Sequence, residues 1–437
     1  MSSIINNNKI INAWCMYDWA NSVYNLVITA TIFPVYFNSV TSGGGSDVVS
    51  FFGIEIVNTV LYSWSLSFSF LLIAIVSPLL SGIADYSGKK KMFMKAFMYI
   101  GSGACIGLYF FDGSNVEWGI ICAILASVGY SGSLVFYNAF IPVIATPDRY
   151  DMLSARGFAL GYLGSIFLLV LNLALITVPD FFGFATKGDA TRFGFLLVGL
   201  WWIGFSQISF YFLPNNVFNR KPDTHWLRKG YQEINKVFAS LKGLPVLRKY
   251  LVAFFFYSAG VQTVMYLAAT FGDKVLKMPG DKLILTVLII QLVGIAGSYA
   301  FAYLSKLKGN RYSLLVMVFI WIFVCLAAYL VTTEFQFYAL AFVVGLVMGG
   351  IQALSRSTYS KLIPADTMDH TSYFSFYDVT YNISIVFGTF SYGFIEQITG
   401  DMRNSTLGLM LFFIVGIGFL LLVNIPFDDR VKGEEAG

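Results

Sequence analysis

Three ionisable side chains sit where such groups are rarest. Asp18 in Tyr17-Asp18-Trp19-Ala20-Asn21-Ser22, Arg356 in Gly349-Gly350-Ile351-Gln352-Ala353-Leu354-Ser355-Arg356-Ser357, and Asp378 in Phe374-Ser375-Phe376-Tyr377-Asp378-Val379 all fall inside long apolar runs. A charge at the centre of a bilayer-spanning helix costs roughly 2.5 kcal/mol or more, so it normally faces a water-filled cavity or a partner. The chemistry open to this set is pairing and parting of a guanidinium and a carboxylate, and protonation of an acid. Neutral polar groups accompany the first of them: at 100° per residue, Asp18, Asn21, Ser22, Asn25 and Thr29 share an arc of about 100° on one helix.

The elements that must position these groups are membrane spans. The 437 residues are 57% hydrophobic, 18% aromatic and 12% charged, against about 25% charged in soluble proteins, and the mean hydropathy is +0.71. Apolar windows place twelve spans at 13–38, 57–81, 93–111, 117–142, 155–178, 193–213, 249–272, 283–305, 312–331, 336–362, 371–397 and 406–426. The predicted fold class is an all-α membrane protein, twelve transmembrane helices in two pseudo-symmetric six-helix bundles. Residues 1–213 form the first bundle, 214–248 a linker and 249–437 the second.

Most of the 28 Lys and Arg, including Lys89 to Lys91 and those of the linker, fall on the side of the N-terminus; Lys187, Arg192, Lys274, Lys277, Lys282 and Arg403 fall on the other. That bias predicts cytoplasmic termini and a cytoplasmic linker. Within the linker, Leu227, Tyr231, Ile234, Phe238 and Leu241 recur opposite Arg228, Lys229, Glu233 and Lys236, the pattern of an amphipathic helix lying on the membrane surface. Residues Met1 to Lys9 are polar with no cleavable signal pattern, so the first apolar run is expected to remain as a span. Gly43-Gly44-Gly45 reads as an outer loop, since no strand precedes it and no Lys-Ser or Lys-Thr follows.

Other chemistries find little support. Cys15, Cys105, Cys122 and Cys325 lie in apolar segments without metal-ligand spacing and read as core packing. The two histidines, His225 and His370, read as parts of polar connections. With no H-E-x-x-H and no G-x-S-x-G, neither a membrane enzyme nor a metal or other cofactor is expected. The expected partners are a small-molecule substrate, the lipid bilayer and protons, with no nucleic acid, and the expected oligomeric state is a monomer.

Depth along the helices groups the charges. Asp18 lies about five residues into span one, roughly 8 Å at 1.5 Å per residue. Asp378 is about as deep in span eleven, and Arg356 lies roughly 9 Å from the cytoplasmic end of span ten. The three are therefore expected in one cytoplasmic layer, as a gate in which Arg356 pairs with Asp18 or Asp378 when the inner side is shut. The plainer alternatives are acids favouring a helix N-terminus and an arginine snorkelling to the headgroups. Nearer the midplane come amides, hydroxyls and rings: Asn25, Tyr130, Ser133, Gln262, Tyr266, Gln291, Gln352, Tyr381 and Asn382. Such a lining suits a small neutral or zwitterionic solute, although the same groups would also serve as interhelical hydrogen bonds.

Gly82-Ile83-Ala84-Asp85-Tyr86-Ser87-Gly88, followed by Lys89-Lys90-Lys91, resembles the loop signature of the major facilitator superfamily. The resemblance implies that Asp85 latches one half to the other when the cytoplasmic side is closed. The second half has Lys306 where Asp85 would fall, so no symmetric latch is expected there. The Asp18 and Arg356 segments, with Phe136-Tyr137-Asn138-Ala139 and the Asp378 segment, resemble one branch of that superfamily, the fungal autophagy-associated vacuolar amino-acid effluxers and their bacterial relatives. The resemblance covers all twelve spans. It implies a cavity lined by spans one, four, seven and ten, with Asn21, Asn25, Tyr130, Tyr137, Asn138, Gln262, Gln352 and Asn382 as its candidates, and alternating access that exports amino acids or another small polar metabolite, with Asp18 or Asp378 responsive to protons. Short loops and tails suggest a bacterial plasma membrane rather than a vacuole. A lipid or lysolipid transporter and a non-transporting receptor are the alternatives.

Overall fold

The computed structural model describes residues 4–42, 47–220 and 226–425, with the helix alone described over 226–231. The Gly43-Gly44-Gly45 loop and His225 lie outside the described residues. Twelve long helices follow the predicted order: Asn8–Thr41, Asn58–Ser87, Lys90–Phe110, Val116–Ile144, Pro147–Thr177 and Lys187–Phe212, then Pro245–Leu276, Lys282–Lys308, Asn310–Leu330, Glu334–Leu362, His370–Thr399 and Met402–Leu421. Eleven of these, among the described residues, are long and apolar enough to cross a membrane; the one left out of that count is His370–Thr399, span eleven. Its Ser, Thr, Tyr and Asn residues depress its hydropathy, and the same span carries Asp378. Large apolar side chains such as Ile75, Phe167, Phe319 and Leu411 remain exposed around the bundle, as lipid-facing residues must.

The buried apolar residues form two large clusters. One runs from Ile11 to Leu213; the other is drawn mainly from Val237 to Ile425 and also takes in Ala139 and Tyr162. The two halves meet where span five lies against spans eight and ten, and span eleven against span two. The described start of span one and the linker ends lie at one end of the bundle, here the linker side: Asn6 Nδ2 donates to Thr146 Oγ1 between spans four and five, and the start of span three reaches the Leu213 carbonyl at the end of span six.

Two local features depart from the sequence expectation. Span one changes to a π-helix over Tyr24–Ile32, which shifts the register of everything beyond it. Between spans one and two, strands β1 (Val48–Phe51) and β2 (Ile54–Val57) pair antiparallel. Their turn is Phe52-Gly53, with φ of 48° and 82°, the doubly left-handed geometry that matches strand twist in a two-residue hairpin.

The linker helix, Trp226–Ser240, is amphipathic, and part of its apolar face packs on protein while Phe238 stays largely exposed. Ile234, Val237 and Leu241 are buried, the helix packs on span two, and Phe238 lies against Phe376 with ring centroids 5.9 Å apart. Polar ties reinforce the seat. Asp369, in the connection between spans ten and eleven, takes hydrogen bonds from the Arg220 guanidinium at 2.9 Å and Lys236 Nζ at 3.4 Å, and Lys236 also reaches Glu233 at 3.1 Å.

Burial, and then the Glu233 carboxyl beside it, push the Asp369 carboxyl up from 3.8 to about 6. The folded protein therefore keeps a proton that the unfolded chain releases, and this contribution to stability is lost as pH rises through about 6. Relative to Asp369→Asn, the wild type should lose thermal stability between pH 4.5 and 7. A wild type that gains on the variant over this range contradicts the assignment.

Candidate functional site: a polar cavity closed by a buried ion pair

Where the halves meet, a central cavity of about 120 Å³ is lined by spans one, four, five, seven, eight, ten and eleven. On a measure where one water needs roughly 10–15 Å³, it holds about ten waters, or one small metabolite. Asn25, Tyr130, Asn138, Gln262 and Gln352 line it as expected. So do Asp18, Arg356 and Asp378, which corrects the expectation of a gate layer apart from the pocket: the ionisable groups form part of the wall of the same cavity.

The ion pair forms between Arg356 and Asp18. Arg356 Nη1 and Nη2 donate to Asp18 Oδ2 at 3.3 and 3.2 Å. Nη1 also donates to Asn138 Oδ1 at 3.4 Å, Nη2 to the Ser154 carbonyl at 3.0 Å, and Nε to Ser154 Oγ at 2.9 Å. These contacts match the five N–H donors of a guanidinium, so a side chain of the second half is held by spans one, four and five of the first. The rings of Trp14, Tyr137 and Phe158 surround it, with Cζ 4.8, 5.6 and 4.2 Å from their centroids. Both partners are almost wholly buried, with side chains 4% and 6% exposed, so the pair trades desolvation against full hydrogen bonding.

Local sequence makes room for this contact. Span five presents Gly157, Gly161 and Gly164 to span one; a Cβ at Gly157 would lie 2.4 Å from Asp18 Oδ2, and one at Gly161 2.5 Å from Ser22 Oγ. Close backbone approach here depends on the absence of a side chain.

Three predicted residues are placed differently. Tyr137 is buried behind the pair, stacked on Trp14 at 4.4 Å, and its hydroxyl donates to Asp18 Oδ2 at 2.7 Å, so it orients the acid rather than lining the cavity. Asn21 is fully buried off the cavity wall. Asn382 sits one turn beyond Asp378, and its Nδ2 donates to Asp378 Oδ2 at 2.9 Å. The shared arc drawn for span one therefore reduces to Asp18, Ser22 and Asn25, since Thr29 lies inside the π-helix and also leaves the wall.

Sequence reasoning missed span five. Phe158, Tyr162 and Ser165 line the cavity, Ser154 holds Arg356, and the Tyr162 hydroxyl donates to Gln352 Oε1 at 2.6 Å across the halves. The spacing 154, 158, 162, 165 is one helical face of hydroxyls and rings, a signal present in the sequence.

Two further ties join the halves on the linker side. Asp85, at the end of span two, accepts the Thr371 and Ser372 backbone N–H groups at 3.2 and 2.6 Å in the first turn of span eleven. A carboxylate here satisfies donors that a helix start leaves open. Lys90 and Lys91 turn back into the first half, donating to the Ala139 and Leu213 carbonyls at 3.3 and 2.6 Å. At the symmetry-related contact, where the end of span eight meets the start of span five, Asp151 on span five accepts from Lys361 Nζ at 2.6 Å, Ser305 Oγ at 2.8 Å and Asn310 Nδ2 at 2.8 Å. A second tie thus exists where none was expected, because the acid has moved to the opposite face of the interface. His370 also departs from expectation: it opens span eleven and is buried against the Phe218 ring.

A smaller cavity of about 60 Å³ lies inside the second half, among apolar side chains such as Val264, Phe271 and Phe337. The four cysteines are buried and free, and no His, Cys, Asp and Glu cluster able to hold a metal occurs among the described residues.

Twelve helices in two halves around a polar cavity make up the major facilitator fold. The chain belongs to the family described as "Vacuole effluxer Atg22 like", whose model matches residues 6–430. It is 28% identical over 418 residues to the uncharacterized MFS-type transporter YxiO of Bacillus subtilis, covering 94% of each chain. Autophagy-related protein 22 of Kluyveromyces lactis is 25% identical over 400 residues, 83% of this chain and 79% of that protein. Among solved structures, the major facilitator transporter FucP in its outward conformation superposes with a TM-score of 0.71 at 13% identity, over 97% of this chain and 100% of that one. A bacterial homologue of the iron transporter ferroportin, in an outward-facing state, gives a TM-score of 0.67 at 12% identity, over 94% and 98%. These two likenesses concern the fold.

Proposed function

We propose that the chain is a secondary active transporter that exports a small polar or zwitterionic metabolite, with amino acids as the preferred class, by alternating access. The observation that carries this reading is Arg356: one half supplies a guanidinium, the other supplies its acceptors, and the pair borders a solute-sized polar cavity. In this reading Asp18, Arg356, Asp85 and Asp378 act as gate or coupling groups, and Asn25, Tyr130, Asn138, Gln262 and Gln352 contact the solute. The linker side faces the cytoplasm of a bacterial cell and is shut in this state. Opening it requires the Asp18–Arg356 pair and the Asp85 and Asp151 ties to break, while rocking about the cavity exposes the solute to the other side. An acid of the cavity, Asp18 or Asp378, carries the coupled proton.

The test is efflux of radiolabelled amino acids from loaded proteoliposomes across a series of pH values, wild type against Asp18→Asn. The reading expects counterflow by the wild type and a flattened pH profile in the variant. A wild type that moves no amino acid removes the substrate class, and an unchanged profile removes the coupling role of Asp18.

A further inference from the structure

We propose that Asp378 is an ammonium-binding subsite, so that the solute is selected by its amino group and not by its carboxylate. The inference rests on the transport reading and deepens it. Three ionisable acids and bases other than tyrosine line the cavity, Asp18, Arg356 and Asp378. The first two cancel, and the contacts of Arg356 match its full donor capacity, leaving no free cation to receive a carboxylate in this state.

Asp378 is the opposite case. It is buried, its Oδ2 accepts from Asn382 Nδ2 at 2.9 Å, and among the described residues its Oδ1 accepts no hydrogen bond and no Lys, Arg or His pairs with it. Asn382 Oδ1 beside it is a further buried acceptor without a donor. Asp378 is thus an acid of the cavity wall without a counter-ion among the described residues. A neutral sugar-like solute would leave that acid without a counter-ion; an ammonium would stabilise its carboxylate form and supply N–H donors to it.

The wall around Asp378 has matching chemistry. Phe254 is stacked on Tyr377, with centroids 4.3 Å apart and planes at 13°, and runs parallel to Tyr381 at 6.4 Å and 15°. All three rings line the cavity, and Tyr381 lies three residues from Asp378, on the same side of span eleven. Aromatic faces next to a carboxylate favour an organic cation. Neither the Tyr377 nor the Tyr381 hydroxyl is engaged by a described residue, so both remain able to accept from an N–H group.

The experiment measures binding to the purified full-length protein by thermal shift and by competition, with phenylalanine, phenylalaninamide, phenethylamine and 3-phenylpropionate as probes. Phenethylamine and the amide should bind at least as well as phenylalanine, and 3-phenylpropionate should not bind. Asp378→Asn should weaken the amines roughly tenfold or more, and Asp378→Glu should retain them. Tyr381→Leu, which strips the wall and keeps the acid, should weaken them several-fold and answers the question if Asp378→Asn does not fold. Equal binding of 3-phenylpropionate, amine binding unchanged in Asp378→Asn, or displacement by sodium ions alone overturns the subsite. Phenylalanine efflux that persists in Asp378→Asn overturns it while leaving the transport reading intact, whereas a wild type that neither binds nor moves any probe overturns both.

Discussion

Arg356→Ala should destabilise the purified protein by roughly 3–5 kcal/mol, the cost of leaving a buried ion without its partner. The loss arises chiefly at Asp18, whose remaining partner is the Tyr137 hydroxyl at 2.7 Å, and at Ser154 and Asn138, which lose their donor. Because the unpaired acid is the source of the cost, the double variant Asp18→Asn with Arg356→Ala should lose clearly less than the two single changes added together. Thermal unfolding of the four proteins forms a double-mutant cycle, and additive losses would show that the pair has no coupling energy. The same cycle bears on transport: if the pair holds the linker side shut, the double variant should remain folded yet carry solute passively, without accumulation.

Asp85→Asn combined with Asp151→Asn should open the linker side by at least about tenfold in population. Each change weakens charge-assisted hydrogen bonds, worth roughly 1.5–3 kcal/mol apiece, and about 1.4 kcal/mol corresponds to a factor of ten. Ala302 offers a reporter: with Ala155 and Ala353 it forms a small buried cluster where spans five, eight and ten meet. In an Ala302→Cys background, a membrane-impermeant maleimide added on the linker side should label the double variant at least tenfold faster than the reporter alone, since accessibility follows the open fraction. The native cysteines are buried and supply the blank. Unchanged labelling in a protein with a normal gel-filtration profile would mean that these ties contribute packing and not closure. Single variants should fall between the two, because either tie alone still joins the halves.

The ties show where sequence symmetry stops being informative. Asp85 could be assigned because its loop repeats a spaced Gly-Asp-Gly-basic pattern, and the turn it needs follows from Gly88, which adopts a φ of 68°. Asp151 carries no such pattern. It sits beside Arg149 and Arg156 at an ordinary helix start, and only the approach of Lys361, Ser305 and Asn310 gives it a role. The polarity of the contact has been exchanged across the interface, and a comparison of matching positions within one chain cannot register such an exchange.

By itself the sequence determined the twelve spans, their bounds to within eight residues of the helix ends, the two halves and which side chains are too polar to face lipid. Each of these follows from local composition and the length a bilayer demands. Tertiary structure alone decided which polar groups meet. Span one was read with a uniform helical period, but its π-helix over Tyr24–Ile32 turns Thr29 off the wall, and packing against the first bundle keeps Asn21 there too. Span five was not among the spans expected to line the cavity, but its glycines let it approach span one and carry Ser154, Phe158 and Tyr162 to the centre. The partner of Arg356 was open between two acids of similar depth, and depth along a helix says nothing about azimuth or neighbours. Docking of the two halves decided for Asp18 and left Asp378 facing the cavity without a cation partner among the described residues.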